Sequence, residues 1–486
     1  MLWVVLAVLV TPKGARGQDS EPVSAPAAAT VPEGSDRTDD ASAQLAKQAA
    51  EMASMKAEFE RQLAEERSAR QAAEANTNAA ITAAVAAELQ KAPKVSGLDG
   101  LTLSGFIQAD MYAKQSSEDQ LNTSSGAPLN DDRFSIRRMR LRTSIERRYL
   151  AAIAELDANT TNGSQVRPMN VEVTAKIPGE KVPYIAATVG IFKIPYGYEI
   201  GQSDYLRLFA ERSNLERAMF PGEYDLGARV AGGWRFVRYA LAVQNGEPLG
   251  ESTFPARDAN AAKDVVGRVG VTSPLGGGVD VQGGFSALAG RGLHKGTPPT
   301  KPTVTWQDRN ENGRIDANEL IASPGSSGLP SLGFPRYAVG ADLLLNLTTP
   351  WLGTTTLYGE ITWAKNLDRA MLIADPYGPL GRDLREMGYY VAVVQDFGRY
   401  VQGGVRYDFY DPDRDSTDRV AATVLLSSQA ISTVALALAA RLRLGGLTNR
   451  VLVQYDINRN HAGRDASGLP TNLANNVFTL RAEAVF

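Results

Sequence analysis

NNVFTLRAEAVF, residues 475–486, is the stretch whose reading decides the fold. In an extended chain Phe478, Leu480, Ala482, Ala484 and Phe486 fall on one side, and Thr479, Arg481 and Glu483 on the other. One side is apolar and the other polar, as in a strand that separates an apolar medium from a wet one. The same texture runs back to Leu101, with turn residues between the alternating runs. Sixteen strands can be traced. They begin near Leu101, Phe134, Tyr149, Asn170, Tyr184, Leu226, Val237, Lys263, Val279, Arg336, Gly353, Glu386, Arg399, Ser432, Arg450 and Asn475. Short connections such as Glu146–Arg148, Trp234–Phe236 and Asp396–Gly398 alternate with long ones such as Lys114–Asp132, Pro195–Asp225, Ala289–Pro335 and Asn460–Ala474. An even strand count, with short turns at one end and long loops at the other, predicts an all-β fold. It is a 16-stranded antiparallel transmembrane β-barrel over residues 97–486.

Composition agrees with this and excludes other classes. Beyond the N-terminus no run of about 18 apolar residues occurs, so no helix spans a membrane; a barrel gives no such signal. The chain has no cysteine and only His294 and His461. Disulfide frameworks, zinc fingers and thiol catalysis are out, and histidine-based catalysis has little to work with. Both histidines fall in glycine-rich loop contexts away from any strand, so no enzyme is expected. The bases are not massed in one patch, so no nucleic-acid partner is expected.

Met1 to Val10, followed by Ala15 and Gly17 at positions −3 and −1 of a cut, reads as a signal peptide over residues 1–17. Residues 18–39, rich in Pro, Ala, Ser and Asp, read as a disordered linker. Residues 40–92 hold Ala, Glu, Lys, Gln and Arg without Pro or Gly, which predicts a helix. Leu45, Met52 and Phe59 are seven apart, a brief coiled-coil-like pattern whose use would be trimerisation or a tether. Phe486 at the end of an alternating strand resembles the C-terminal signal read by bacterial barrel-assembly machinery. That machinery is the expected partner and the bacterial outer membrane the expected location, with lipid around the wall.

Residues 184–225 read YIAATVGIFKIPYGYEIGQSDYLRLFAERSNLERAMFPGEYD. Ile185, Ala187, Val189 and Ile191 make a strand face, and Pro195 ends the ladder because it has no N–H to donate. About thirty residues follow without a clean strand, and they carry Tyr, Leu and Phe beside Arg207, Arg212 and Arg217. A loop this apolar and this long is expected to fold back into the barrel and narrow it. The alternative is a surface loop capped by a short helix, Tyr205 to Arg217.

RFSIRRMRLRTSI, residues 133–145, puts Met139, Leu141 and Ile145 on one face and Arg138, Arg140 and Arg142 on the other. Phe134 and Ile136 have the opposite parity, so a bulge is expected near Arg137. On the lipid face each arginine would cost roughly 2–4 kcal/mol near the midplane, so the stripe faces the lumen. There it serves an anion path, pairs with Glu155 and Asp157 of the next strand, or does both.

DRNENGRIDANE, residues 308–319, carries acids or amides at Asp308, Asn310, Asn312, Asp316 and Glu319, with Gly313 at the sharp turn and Arg314 offering a carbonyl. This is the spacing of a twelve-residue calcium loop, so a structural Ca2+ is expected there. The bland reading is a hydrophilic loop tip. Pro298, Pro299 and Pro302 exclude a long helix before it.

Three stretches carry a family resemblance: GFIQADMYAK at 105–114, RFSIRRMRLR at 133–142, and VGIFKIPYGYEI with FAERS in the third long loop. In order and spacing they resemble the phosphate-selective porin O/P family of Gram-negative outer membranes. The resemblance implies a trimeric sixteen-stranded channel with an inward third loop, an arginine ladder and cationic residues that bind phosphate. Carried to this chain, the anion path is Arg138, Arg140, Arg142, Lys193, Arg207, Arg212 and Arg217. The loop departs from the family in its acids, Glu199, Asp204, Glu211, Glu216 and Glu223, and in having no lysine cluster. The expected function is passive diffusion of small anions, phosphate among them. The alternatives are a general porin and a structural tether.

Overall fold

The computed structural model describes residues 100–486 apart from 117–129, 162–163, 250–257, 259, 421–422, 427, 445–446 and 465–469. The signal peptide (1–17), the linker (18–39) and the helical segment (40–92) lie outside the described residues.

The chain forms a closed antiparallel barrel. Its first half is β1 (Leu101–Lys114), β2 (Asp132–Glu146), β3 (Leu150–Asn159), β4 (Gln165–Ile177), β5 (Ile185–Lys193), β6 (Tyr224–Trp234), β7 (Val237–Gln244) and β8 (Asp264–Gly276). It continues with β9 (Val279–His294), β12 (Leu332–Thr349), β13 (Gly353–Lys365), β14 (Arg385–Phe397), β15 (Val401–Asp411), β18 (Ile431–Leu444), β19 (Leu447–Arg459) and β22 (Val477–Val485). Three small hairpins sit in the long loops: β10 (Thr303–Trp306) with β11 (Leu320–Ser323), β16 (Thr417–Val420) with β17 (Thr423–Leu426), and β20 (Gly463–Arg464) with β21 (Pro470–Thr471). Pairing of β1 with β22 closes the ring.

All sixteen strands traced in the sequence are barrel strands, with starts displaced by a few residues. β4 begins at Gln165 rather than Asn170, although Pro168 argues against a ladder there. The proline is accommodated at a bulge, where the register between β3 and β4 shifts past Glu155. The bulge expected near Arg137 is present: Gln108 faces Arg138 and Ala109 faces Ile136, so Arg137 is the extra residue. Arg137 and Arg138 are therefore both buried, and parity on each side of them is opposite. The expectation for His294 is corrected. It is the last residue of β9, where its Nδ1 lies 2.6 Å from Asp375 Oδ2 of the loop between β13 and β14.

The outer wall is apolar, with Val339, Leu343, Val269 and Val391 exposed as a lipid-facing residue is in the absence of lipid. Aromatic side chains gather at both ends of this belt: Tyr149, Trp234, Trp351 and Phe397 by the short turns, Phe134, Tyr337 and Trp363 by the long loops. That distribution suits the two membrane interfaces. This is a bacterial outer-membrane barrel. Inside, the wall has two characters. β1, β2, β3 and β22 present Gln108, Asp110, Arg138, Arg140, Asp157 and Arg481. β12, β14 and β18 present Ala338, Ala392, Ala435, Ala437 and Ala439, small apolar residues against which the third long loop packs.

Candidate functional site

The third long loop, residues 194–223, holds a 3-10 turn at Asp204–Leu206 and one short helix, α1 (Asn214–Met219). The helix is shorter than the Tyr205–Arg217 span of the alternative reading. Ser213 caps it by accepting from the Glu216 N–H, and the Ser213 hydroxyl itself donates to Glu199 Oε2 at 2.8 Å. The loop's apolar residues answer the alanine-lined wall. Ile194, Tyr196, Ile200, Leu215 and Met219 form one cluster with Val266, Leu288, Ala338 and Tyr410. Leu208 and Phe209 form another with Tyr358, Tyr390 and Leu452. Each buried Leu, Ile, Met or Phe contributes about 1.5–3 kcal/mol, so the loop is held as a core is held.

Polar contacts with several strands complete the seat. The Tyr198 and Glu199 N–H groups donate to Glu360 Oε2 at 3.1 and 3.4 Å. Gly197 has φ +59°, and a Cβ on it would overlap the Glu360 carboxylate, so this position requires glycine. Arg450 donates to the Arg207 carbonyl at 2.7 Å, Arg481 to the Ala210 carbonyl at 2.8 Å and Arg406 to the Glu211 carbonyl at 2.9 Å. Glu216 has no hydrogen-bonded oxygen, and burial beside Glu360 and Glu199 pushes its carboxyl well above the usual range.

The sequence-expected cations then divide into two groups. Arg138 and Arg140 are buried and ion-paired. Arg138 lies 3.6 Å from both Asp204 and Glu211. Arg140 reaches Asp204 at 2.6 Å, Asp157 at 3.3 Å and Glu155 at 3.5 Å. Arg207 pairs with Asp204, and Arg212 with Glu223. Lys193 pairs with Glu223 at 2.9 Å and donates to the Ile200 carbonyl. Arg138, Arg140 and Lys193 hold the loop to the wall, while Arg207 and Arg212 pair within the loop itself. Arg142 and Arg217 remain. The Arg142 side chain is 40% exposed with one long contact, 3.9 Å, to Glu155. Arg217 points away from the helix–wall contact into the lumen, exposed, and its charge bears on Asp456 without a salt bridge. Asp204 and Glu211 were legible only as departures from the family pattern. Their role as anchors, with Arg406 of β15, Arg450 of β19 and Arg481 of β22, depends on a fold of the loop that no local period encodes.

Three hollows lie along the lumen. On the long-loop side, about 200 Å³ is lined by Lys114, Arg133, Arg137, Arg212, Arg217 and Arg406 against Glu211, Asp408 and Asp456. Beneath the loop, about 590 Å³ is lined by Arg140, Arg142, Lys193 and Arg229 against Glu155 and Glu172. At the short-turn mouth, about 490 Å³ is lined by Lys181, Arg235 and Arg238 against Glu180. Cations outnumber acids in each.

The calcium-like loop is the tip of the β10–β11 hairpin. Asp308 accepts from the Asn312 and Gly313 N–H groups at 3.1 and 2.7 Å, and Asn312 Oδ1 from the Arg314 N–H at 2.7 Å. The amides of Asn310 and Asn312 both donate to Asp316 Oδ2. Glu319 is buried, with Oε1 accepting from two backbone N–H groups and Oε2 from Trp306 Nε1 at 3.1 Å. All six sequence-expected positions therefore share one turn. Among the described residues no three acids or histidines are already spaced as a metal cage.

No protein-family profile and no curated protein sequence matches the chain significantly. Solved structures do resemble it. OprB of Pseudomonas putida, in a high-pH structure, has TM-score 0.49 and 11% identity over 82% of this chain and 97% of that one. The outer-membrane channel DcaP of Acinetobacter baumannii has TM-score 0.47 and 9% identity over 79% and 97%. An anion-selective porin from Comamonas acidovorans has TM-score 0.46 and 10% identity over 79% and 99%. Similarity this low says nothing about solute or assembly. The porin-type barrel itself is the fold described above.

Proposed function

We propose that this chain is a passive outer-membrane channel for small anions, with the third loop as its constriction. The observation that carries this reading is the cation excess in all three hollows, above the loop, beneath it and at the mouth. A water-filled path so lined lowers the energy of an anion along its length and raises that of a cation. The wall arginines expected to select phosphate are mostly ion-paired to Asp204, Glu211, Asp157 and Glu155. Phosphate preference is therefore the finer proposal, and it rests on Arg142 and Arg217 with the family resemblance. The assembly proposed with it is a homotrimer, inserted by the barrel-assembly machinery.

The test is the reversal potential of the purified protein in a planar bilayer under a KCl gradient, followed by phosphate titration. The expected result is anion selectivity. Block of chloride current by phosphate supports the finer reading, and cation selectivity overturns the whole.

We also propose that the Asp308–Glu319 loop takes one Ca2+. The ion would draw Glu319 from Trp306, so Trp306 emission reports binding. A Ca2+-dependent change is expected with a midpoint at about 0.1–1 mM, as for extracellular modules. It should disappear in Glu319→Gln. The same response in Trp306→Phe as in the wild type would sink the assignment.

A further inference from the structure

The hollow beneath the loop contains an acid, Glu172, among its cations Arg140, Arg142, Lys193 and Arg229. Glu172 points inward from β4, and its Oε2 accepts from Arg229 Nη2 of β6 at 3.3 Å. The charges of both Arg229 and Arg142 bear on it. Neither guanidinium is saturated. Arg229 Nε is buried with no hydrogen-bond partner, and Arg142 has only its 3.9 Å contact to Glu155 among the described residues. Gly190, which faces Glu172 across the β4–β5 pair, puts no side chain in the way. A planar guanidinium matches a carboxylate by two parallel N–H donors, and a single long hydrogen bond leaves most of that capacity unused.

We infer that Arg142 and Arg229 form a binding site for small carboxylates, and that Glu172 is a tethered competitor that sets how readily the site fills. The inference rests on the anion-channel reading and names its substrate class. An entering carboxylate takes the donors of Arg229 and Arg142 while Glu172 turns into the 590 Å³ hollow. When the solute leaves, Glu172 returns. The site thus holds a compensated charge when empty, and solute exchanges for an internal anion without stripping two bare arginines. A carboxylate tethered by a few bonds competes at an effective concentration in the millimolar range or above. Removing it should therefore lower the concentration of solute that half-saturates the site.

Acetate is the probe, measured as the concentration that half-saturates acetate current in planar bilayers, with inorganic phosphate as the parallel arm. In Glu172→Gln the half-saturating acetate concentration should fall by about tenfold. In Arg229→Gln it should rise, and adding Glu172→Gln to that variant should restore little, because the competitor has lost its target. An unchanged acetate value in Glu172→Gln overturns the inference. So does an equal fall in both backgrounds, since Glu172 would then act only through the general field. Saturation by phosphate with none by acetate overturns the carboxylate class. Each of these outcomes leaves an anion-selective wild type intact, whereas cation selectivity of the wild type removes the channel reading itself.

Discussion

Asp204→Asn should unseat the third loop while leaving the barrel standing. Arg138, Arg140 and Arg207 converge on this one carboxylate, whose side chain has no solvent exposure. The asparagine keeps the volume but removes the charge. Arg140 retains Asp157 and Glu155, and Arg138 retains Glu211. Arg207 is buried, and Asp204 is its one salt-bridge partner among the described residues. Breaking a buried pair by removing one partner costs about 3–5 kcal/mol. The strand ladders do not depend on this contact, so the loss falls on the loop. Single-channel conductance should rise and become noisier, while the folded barrel persists on unheated gels. Asp204→Glu keeps the charge and should return part of the wild-type behaviour. Wild-type conductance and noise in Asp204→Asn would mean that the two apolar clusters alone hold the loop, and that the ion pairs are incidental.

Arg217→Glu should shift selectivity toward cations with the loop still seated. This arginine is exposed on the lumen face of α1 and has no salt bridge among the described residues, so its loss strands no partner. The substitution changes the long-loop hollow from six cations against three acids to five against four. In water one unit charge at about 5 Å is worth ~0.8 kcal/mol, and a reversal counts twice. That sets a ceiling of roughly tenfold to twentyfold on the change for either ion, and of about a few hundredfold on the anion-to-cation ratio, reduced by screening at physiological salt. Arg217→Gln should give about half the shift in free energy. The reversal potential under a KCl gradient reads this directly. If it does not move, the loop face lies off the ion path, and selectivity belongs to Arg142, Arg229 and the mouth.

The barrel was legible because its information is local. Alternation in Phe478–Phe486, in Met139–Ile145 and in Ile185–Ile191 assigns each side chain to lipid or lumen, and turn residues separate one strand from the next. Even the bulge at Arg137 follows from a parity conflict within six residues. The inward course of the third loop was legible from what it would otherwise expose: Tyr196, Leu208, Phe209 and Leu215 need a partner surface. Which surface was not legible, because the alanines that receive them come from several strands far apart in the chain. The candidate site fared less well for the same reason. Arg138 and Arg140 were placed on the correct face, but their principal partners, Asp204 and Glu211, lie more than sixty residues away on a loop with no regular period. His294 was assigned to a loop because glycines surround it, whereas in a barrel strand glycines are tolerated where neighbouring side chains need their space.

Arg481 gives the molecule an order of events. It belongs to β22, bonds Asp110 of β1 through two 2.7 Å contacts, and also holds the Ala210 carbonyl of the third loop. The first of these contacts joins residues 371 apart in the chain. Until β22 reaches β1, the growing sheet has two uncovered edges and the loop lacks one of its anchors. Contacts at such separation form late and slowly. Ring closure and the final docking of the loop are therefore one step in time. A barrel still open at this seam is also a barrel with a loosely held loop, which makes assembly intermediates leaky by construction.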